Sequence, residues 1–209
     1  VNVDTQLFQT INDVAQATPW LHGIVLAYAN YGIVVFAALM LAGWWSARRQ
    51  ANPTRMGAAV WAPLGMLLAL GVNQPISAVA GEPRPYTTLQ NILVLAQRSP
   101  DPSFPSDHAV MAGAVATGLF LVNRRLGWLA ALAAIVMAFS RVYIAAHYPL
   151  DVVAGLLVGA AVSLLGFGLV RRTLVWLVEL VEHTPLRPVL TTAPAPRPTT
   201  PAPAEPIAG

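Results

Sequence analysis

The chain has 209 residues, 56% of them hydrophobic and only 10% charged, with a formal net charge of +3 and a mean hydropathy of +0.59. About a quarter of the residues in soluble domains are charged, so this composition excludes an ordinary soluble domain and gives no ground for a nucleic-acid partner. The absence of cysteine excludes disulfides, and every basic side chain apart from histidine is arginine.

From Asp4 to Thr18, Leu7, Phe8, Ile11 and Val14 recur at helical spacing while Asp4, Asn12 and Asp13 fall elsewhere. This pattern predicts an amphipathic helix on the membrane surface, within an interfacial segment over residues 1–20 that Pro19 and Trp20 close. No basic stretch leads into a short apolar run with a cleavage site, so no removable signal is expected. A first span runs from Leu21 to Ser46, with Asn30 as the place for a kink. The second, from about Met56 to Ala80, ends in Asn73, Gln74 and Pro75, a terminus facing protein or water rather than lipid.

After a polar loop from Gly81 to Pro105, a third span covers about Asp107–Val122, a fourth Leu126–Ala146 and a fifth Pro149–Val170. The fifth is roughly 33 Å long at helical rise, enough to cross a bilayer. Small residues four apart (Ala109, Gly113 and Thr117; Gly155, Gly159 and Ser163) predict close packing of the third and fifth helices. The expected fold is thus all-α: an integral membrane helical bundle of about five transmembrane helices with an N-terminal amphipathic surface helix. Residues 21–172 form the transmembrane domain and 173–183 a juxtamembrane helix, either a surface helix or an extension of the fifth span, while 184–209 form a Pro-rich tail too poor in apolar side chains to build a core.

Arginine sets the orientation. Arg48, Arg49 and Arg55, then Arg124 and Arg125, then Arg171 and Arg172 mark the cytoplasmic side of a multi-pass plasma-membrane protein, and the tail lies with them. Arg84, Arg98 and Arg141 fall on the outer side, against that rule, and are read as working residues.

Ionisable groups are costly beside membrane spans and mark function by default. Pro149 suits the first turn of the fifth helix, which leaves His147 just before it and Asp151 in its first turn. Asp151 can then reach one imidazole nitrogen, fix the tautomer and leave the other nitrogen free to act as nucleophile or base. Ser106 opens the third helix, where unpaired backbone N–H groups and the dipole favour anions. Arg84 and Arg141 offer planar forks for phosphate oxygens. With two histidines, His147 attacks phosphorus while His108 protonates the leaving oxygen and later activates water. The plainer alternative makes Arg141, His147 and Tyr148 interfacial anchors and Asp151 a helix cap.

Arg84-Pro85, then Pro105-Ser106-Asp107-His108, then Ser140-Arg141 with His147 and Asp151 at the spacing Ser-Arg-x5-His-x3-Asp, form a recognisable series. Over residues 56 to 170 the chain resembles the type 2 phosphatidic acid phosphatase superfamily. Two positions depart from its pattern: Ser77 stands where the first motif has lysine, and Asp107 where the second has glycine. The resemblance implies a phosphohistidine on His147, His108 as acid and base, phosphate bound by Arg84, Ser106 and Arg141, and neither metal nor cofactor. The Pro-Ser-Asp-His variant is similar to bacterial undecaprenyl-diphosphate phosphatases acting on the outer face of the membrane. Asp107 repels phosphate unless it points away or pairs, and is assigned to selecting or orienting a diphosphate within the phosphate-binding set. The expected substrate is a membrane lipid phosphate or diphosphate. Two further readings stay open: phosphatidate or phosphatidylglycerophosphate as substrate, and a lipid-phosphate binding or transport protein that lost turnover with the lysine.

Overall fold

The computed structural model describes residues 2–192. In chain order the helices are α1 (Val3–Ala17), then, after a 3-10 turn at Pro19–Leu21, α2 (His22–Tyr31), α3 (Ile33–Gln50), α4 (Pro53–Ala80), α5 (Pro85–Thr88), α6 (Asp107–Val122), α7 (Arg124–Tyr143), α8 (Pro149–Glu182) and α9 (Arg187–Leu190). Their ends follow local chemistry. Asn52 Oδ1 accepts from the Arg55 N–H at 3.0 Å ahead of α4, and Asn123 Oδ1 accepts from Arg125 N–H at 2.9 Å. Such side-chain caps satisfy donors that the first helical turn leaves unpaired. Asn123 therefore reverses the chain between α6 and α7 within one residue. Gly81, at φ +57°, ends α4 in the left-handed conformation that only glycine adopts without strain.

Helix α6 is the axis of the bundle, buried along most of its length and packed against α4, α7 and α8. The small residues expected to permit this do so by backbone approach. A Cβ on Gly159 would lie 2.0 Å from the Val110 carbonyl oxygen, and one on Gly113 2.3 Å from that of Leu156. Trp61 of α4 reaches across to α8, its indole N–H donating to Ser163 O at 2.8 Å.

The outer faces are apolar: Trp128 and Ile135 on α7, and Leu157, Leu165 and Leu169 on α8, are exposed. Helices α4, α7 and α8 are long and apolar enough to cross a bilayer, and the stretch ending in α2 passes the same test together with α3, the two being bent by 53°. An apolar girdle around helices of that length belongs in lipid. The bend falls at Gly32, two residues beyond the expected kink at Asn30. Helix α6, with 16 residues, is shorter.

Three features refine the sequence expectation. Of the two readings of residues 173–183, the structure shows the extension of the fifth span, α8 continuing to Glu182. With 34 residues, α8 is about 51 Å long, so one end projects beyond a hydrocarbon core of about 30 Å. Helix α1 packs onto α7 and α8, with Phe8, Asn12 and Ala15 fully buried, because its apolar face meets protein. Of the tail expected to be disordered, residues 184–192 carry α9 and dock on α3: Arg48 Nε donates to Pro188 O at 2.6 Å, and Thr192 N–H to Arg48 O at 3.2 Å. The remainder, 193–209, lies outside the described residues.

Candidate active site

Helix α7 ends at Tyr143 and the chain turns through Ala145, at φ +63°, before α8 begins at Pro149. A non-glycine residue in that conformation costs of order 1 kcal/mol or more, offset here by fixed surroundings. Ala145 is fully buried, and the Ile144 carbonyl accepts the Leu95 and Ala96 N–H groups at 3.2 and 2.9 Å. The turn points His147 inward, where it is 3% exposed.

His147 Nδ1 lies 2.8 Å from the Ser103 carbonyl oxygen, an acceptor only, so Nδ1 carries the proton and donates it. Nε2 then holds a lone pair and faces Arg84 Nη1 at 3.3 Å. Asp151 stands beside the imidazole as expected, in ion-pair range of Nδ1, with Ser103 hydrogen-bonded to both residues. Asp151 Oδ2 is 3.6 Å from Nδ1, because that oxygen is occupied by the Ser103 hydroxyl at 2.5 Å and the Tyr148 N–H at 2.8 Å. The carboxylate holds Ser103 and the start of α8, and Ser103 holds the imidazole. Burial, with the positive charges of Arg141 and Arg84, lowers the His147 pKa from its ordinary value against the opposing pull of Asp151. The ring is therefore neutral at neutral pH.

Of the remaining predicted residues, Arg84, Asp107, His108 and Arg141 line one cavity with His147, and Ser106 is buried beside it at the start of α6. Arg84 precedes α5 and is fixed by bonds from Nε to Asp101 O at 2.9 Å and from Nη1 to Ala146 O at 3.1 Å. Ser106 is fully buried before α6, and among the described residues its hydroxyl has no partner, nor does Arg141 Nε. The Ser106 N–H donates to the Asp151 carbonyl at 3.1 Å, and a Cβ on Gly155 would stand 2.7 Å from the Ser106 carbonyl oxygen, so the α6–α8 crossing sets the distance between the two motifs. Asp107 pairs: its Oδ1 accepts from Asn73 Nδ2 at 2.7 Å and Gln74 Nε2 at 3.3 Å, both on α4. A cavity of about 440 Å³ is lined by Arg84, Asp107, His108, Arg141 and His147, and Ser77 also lines it.

Ser103 and Asn73 carry much of this geometry and were not singled out as site residues from the sequence. Ser103 reads there as one polar residue in a loop; its partners are 44 and 48 residues away. For Asn73 the signal existed, a polar pair beside Pro75 at the end of a span, but its partner Asp107 was not inferable.

A neutral buried imidazole with a free nitrogen, faced by a guanidinium and opening on a cavity shared with a second arginine and a second histidine, is equipped to attack an anionic phosphorus centre. The bacitracin transport permease protein BcrC of Bacillus licheniformis is 30% identical over 80% of this chain and 79% of its own. The undecaprenyl-diphosphatase BcrC of Bacillus subtilis is 29% identical over 78% and 81%. The crystal structure of Aquifex aeolicus LpxE superposes with a TM-score of 0.65 at 24% identity, covering 80% of this chain and 96% of that one. Fold, pocket and relatives define a membrane lipid phosphatase. The chain belongs to the PAP2 superfamily, whose pattern matches residues 58–174.

Proposed function

We propose that the protein hydrolyses a polyprenyl diphosphate, undecaprenyl diphosphate, at the outer face of the plasma membrane through a phosphohistidine on His147. The observation that carries the mechanism is the His147 tautomer, with Nδ1–H committed to the Ser103 carbonyl and Nε2 unprotonated beside Arg84. Arg84, Arg141 and the Ser106 hydroxyl bind the phosphoryl oxygens and stabilise the charge that spreads over them during transfer. His147 Nε2 forms a bond to phosphorus as the bond to the leaving oxygen breaks. His108 gives a proton to that oxygen, then takes one from the water that cleaves the N–P bond, and His147 recovers its lone pair. Asp151 is a positioning residue acting through Ser103, and Asp107, tied to α4, sets the start of α6. No step in this scheme calls on a metal or a cofactor.

The substrate reading rests on the name of the Bacillus subtilis relative and on a strongly polar pocket suited to more than one phosphate. The orientation rests on the arginine clusters, and the five-span arrangement on counting α2–α3 and α6 with α4, α7 and α8. Phosphate release by purified protein, with undecaprenyl diphosphate, phosphatidate and phosphatidylglycerophosphate compared in excess EDTA, tests the proposal. Preference for the diphosphate with undiminished turnover in EDTA is expected. Preference for either monophosphate would reassign the substrate, dependence on added Mg²⁺ would overturn the mechanism, and tight binding without release would favour a binding or transport protein.

A further inference from the structure

A second cavity of about 440 Å³ adjoins the first, sharing Gln97, Ser99, His108 and Arg141 with it; neither His147 nor Arg84 lines it, but Asn30, Tyr31 and Arg98 do. The site thus has two chambers meeting at His108 and Arg141, one holding the nucleophile and the other a third arginine. We propose that the second chamber is the subsite for the lipid-linked phosphate of a diphosphate substrate, with Arg98 and Arg141 as its cationic walls. This inference rests on the phosphatase reading and adds where the phosphate that is not transferred sits.

In-line displacement supplies the geometry. Attack by His147 Nε2 on the terminal phosphorus forms the N–P bond and breaks the bond from that phosphorus to the bridging oxygen. The electron pair leaves on the bridging oxygen, which becomes an oxygen of the departing lipid monophosphate. Nucleophile and leaving group stand on opposite sides of the phosphorus, so with His147 confined to the first chamber the leaving phosphate lies beyond His108 and Arg141, in the second. The tail must also reach lipid from there. The second chamber is bounded by the α2–α3 break, where Tyr31, Ile33 and Val34 are exposed and apolar.

Arg98 is held for this task. Its Cζ lies 5.8 Å from the ring centre of Tyr86, within cation–π range. Tyr86 is itself buried, its hydroxyl accepting from Ser99 N–H at 2.9 Å and donating to Ser99 O at 3.2 Å. A guanidinium laid on a fixed ring loses less freedom when it binds an anion than one on a mobile loop. The placement also bears on Ser77: the lysine absent from the first chamber is compensated by an arginine in the second.

The test measures kcat/KM for farnesyl diphosphate and farnesyl monophosphate with the full-length protein in detergent, for the wild type, Arg98→Ala and Arg98→Lys. In Arg98→Ala the diphosphate-to-monophosphate ratio should fall at least about tenfold, the effect of losing one charge-assisted hydrogen bond, and Arg98→Lys should restore most of it. Because the monophosphate places nothing anionic in the second chamber, its turnover also reports whether each variant is folded. An unchanged ratio, whether both rates fall together or neither does, would overturn the subsite while leaving the phosphatase reading in place. Wild-type protein releasing phosphate from neither lipid would overturn both.

Discussion

Ser103 is the residue on which the site turns. Its carbonyl fixes the His147 tautomer while its hydroxyl satisfies one oxygen of a buried carboxylate. Ser103→Ala keeps the carbonyl but leaves Asp151 short of a charge-assisted bond, a loss of about 1.5–3 kcal/mol. Thermal unfolding in detergent should show the drop, and kcat should fall with KM little changed because the imidazole is less firmly held. Equal stability of variant and wild type would remove Ser103 from this role. A second expectation follows from the depressed His147 pKa. In the proposed mechanism the nucleophile is the neutral ring, so kcat/KM should hold as pH falls through the ordinary histidine value of 6.5 and decline only below it. The sign for stability is the same. Between 6.5 and the folded pKa the unfolded chain binds the extra proton, so stability is lost as pH falls through that window. An acid limb above 6.5 would show that His147 is not held neutral. The spacing of His147, Pro149 and Asp151 was legible in the sequence because it lies within one helix start. Ser103 was not, since its role exists only once residues more than forty positions apart meet.

At the scale of elements, the α6–α8 crossing holds the second and third motifs at fixed separation, and glycines permit it. Gly159→Ala would drive a methyl group into the Val110 carbonyl, and overpacking of this kind costs about 1–3 kcal/mol. Gly168 lies on the same helix with nothing within 4 Å of its notional Cβ, so Gly168→Ala should be neutral or stabilising by up to about 1 kcal/mol. Unfolding midpoints of the two variants check this contrast, and equal effects would contradict it. The small-residue spacing that announces this crossing was visible beforehand because it is local and periodic. The partner of α1 was not, since an amphipathic stripe reads the same whether it meets lipid or protein. In the fold, Asp4 Oδ1 accepts from Leu150 N–H at 2.9 Å, and Asn12 bonds both N–H and C=O of Leu93. Helix α1 straps two parts of the chain together: it binds the first turn of α8 at one end and the loop between α5 and α6 at the other.

For the whole molecule, the two ends of the bundle differ in kind. One end carries the pocket; the other gathers the α3–α4 junction with Arg48 and Arg49, the α6–α7 junction with Arg124 and Arg125, and the docked α9. The positive-inside bias is the ground for proposing that the pocket faces outward. Gln90 and Thr184 are exposed near the two ends and the chain has no cysteine, so single cysteines there report the orientation. In intact cells a membrane-impermeant thiol reagent should label Gln90→Cys and spare Thr184→Cys; the reverse pattern would invert the topology. The apolar helices α4, α7 and α8 and the bent pair α2–α3 were legible from hydropathy, and the polar Asn30 marked the neighbourhood of the bend. The continuation of α8 to Glu182 stayed one of two readings, because Arg171 and Arg172 end an apolar run whether or not the helix goes on.

The claim that joins these scales is that His147 Nε2 carries the transferred phosphoryl group. Quenching the purified protein in base during turnover of a lipid diphosphate labelled with ³²P at its terminal phosphate tests it most directly. The account predicts a labelled protein in the wild type whose adduct survives base and is lost in acid, and no label in His147→Ala. Label of the same stability in His147→Ala, or undiminished phosphate release by that variant, would contradict it.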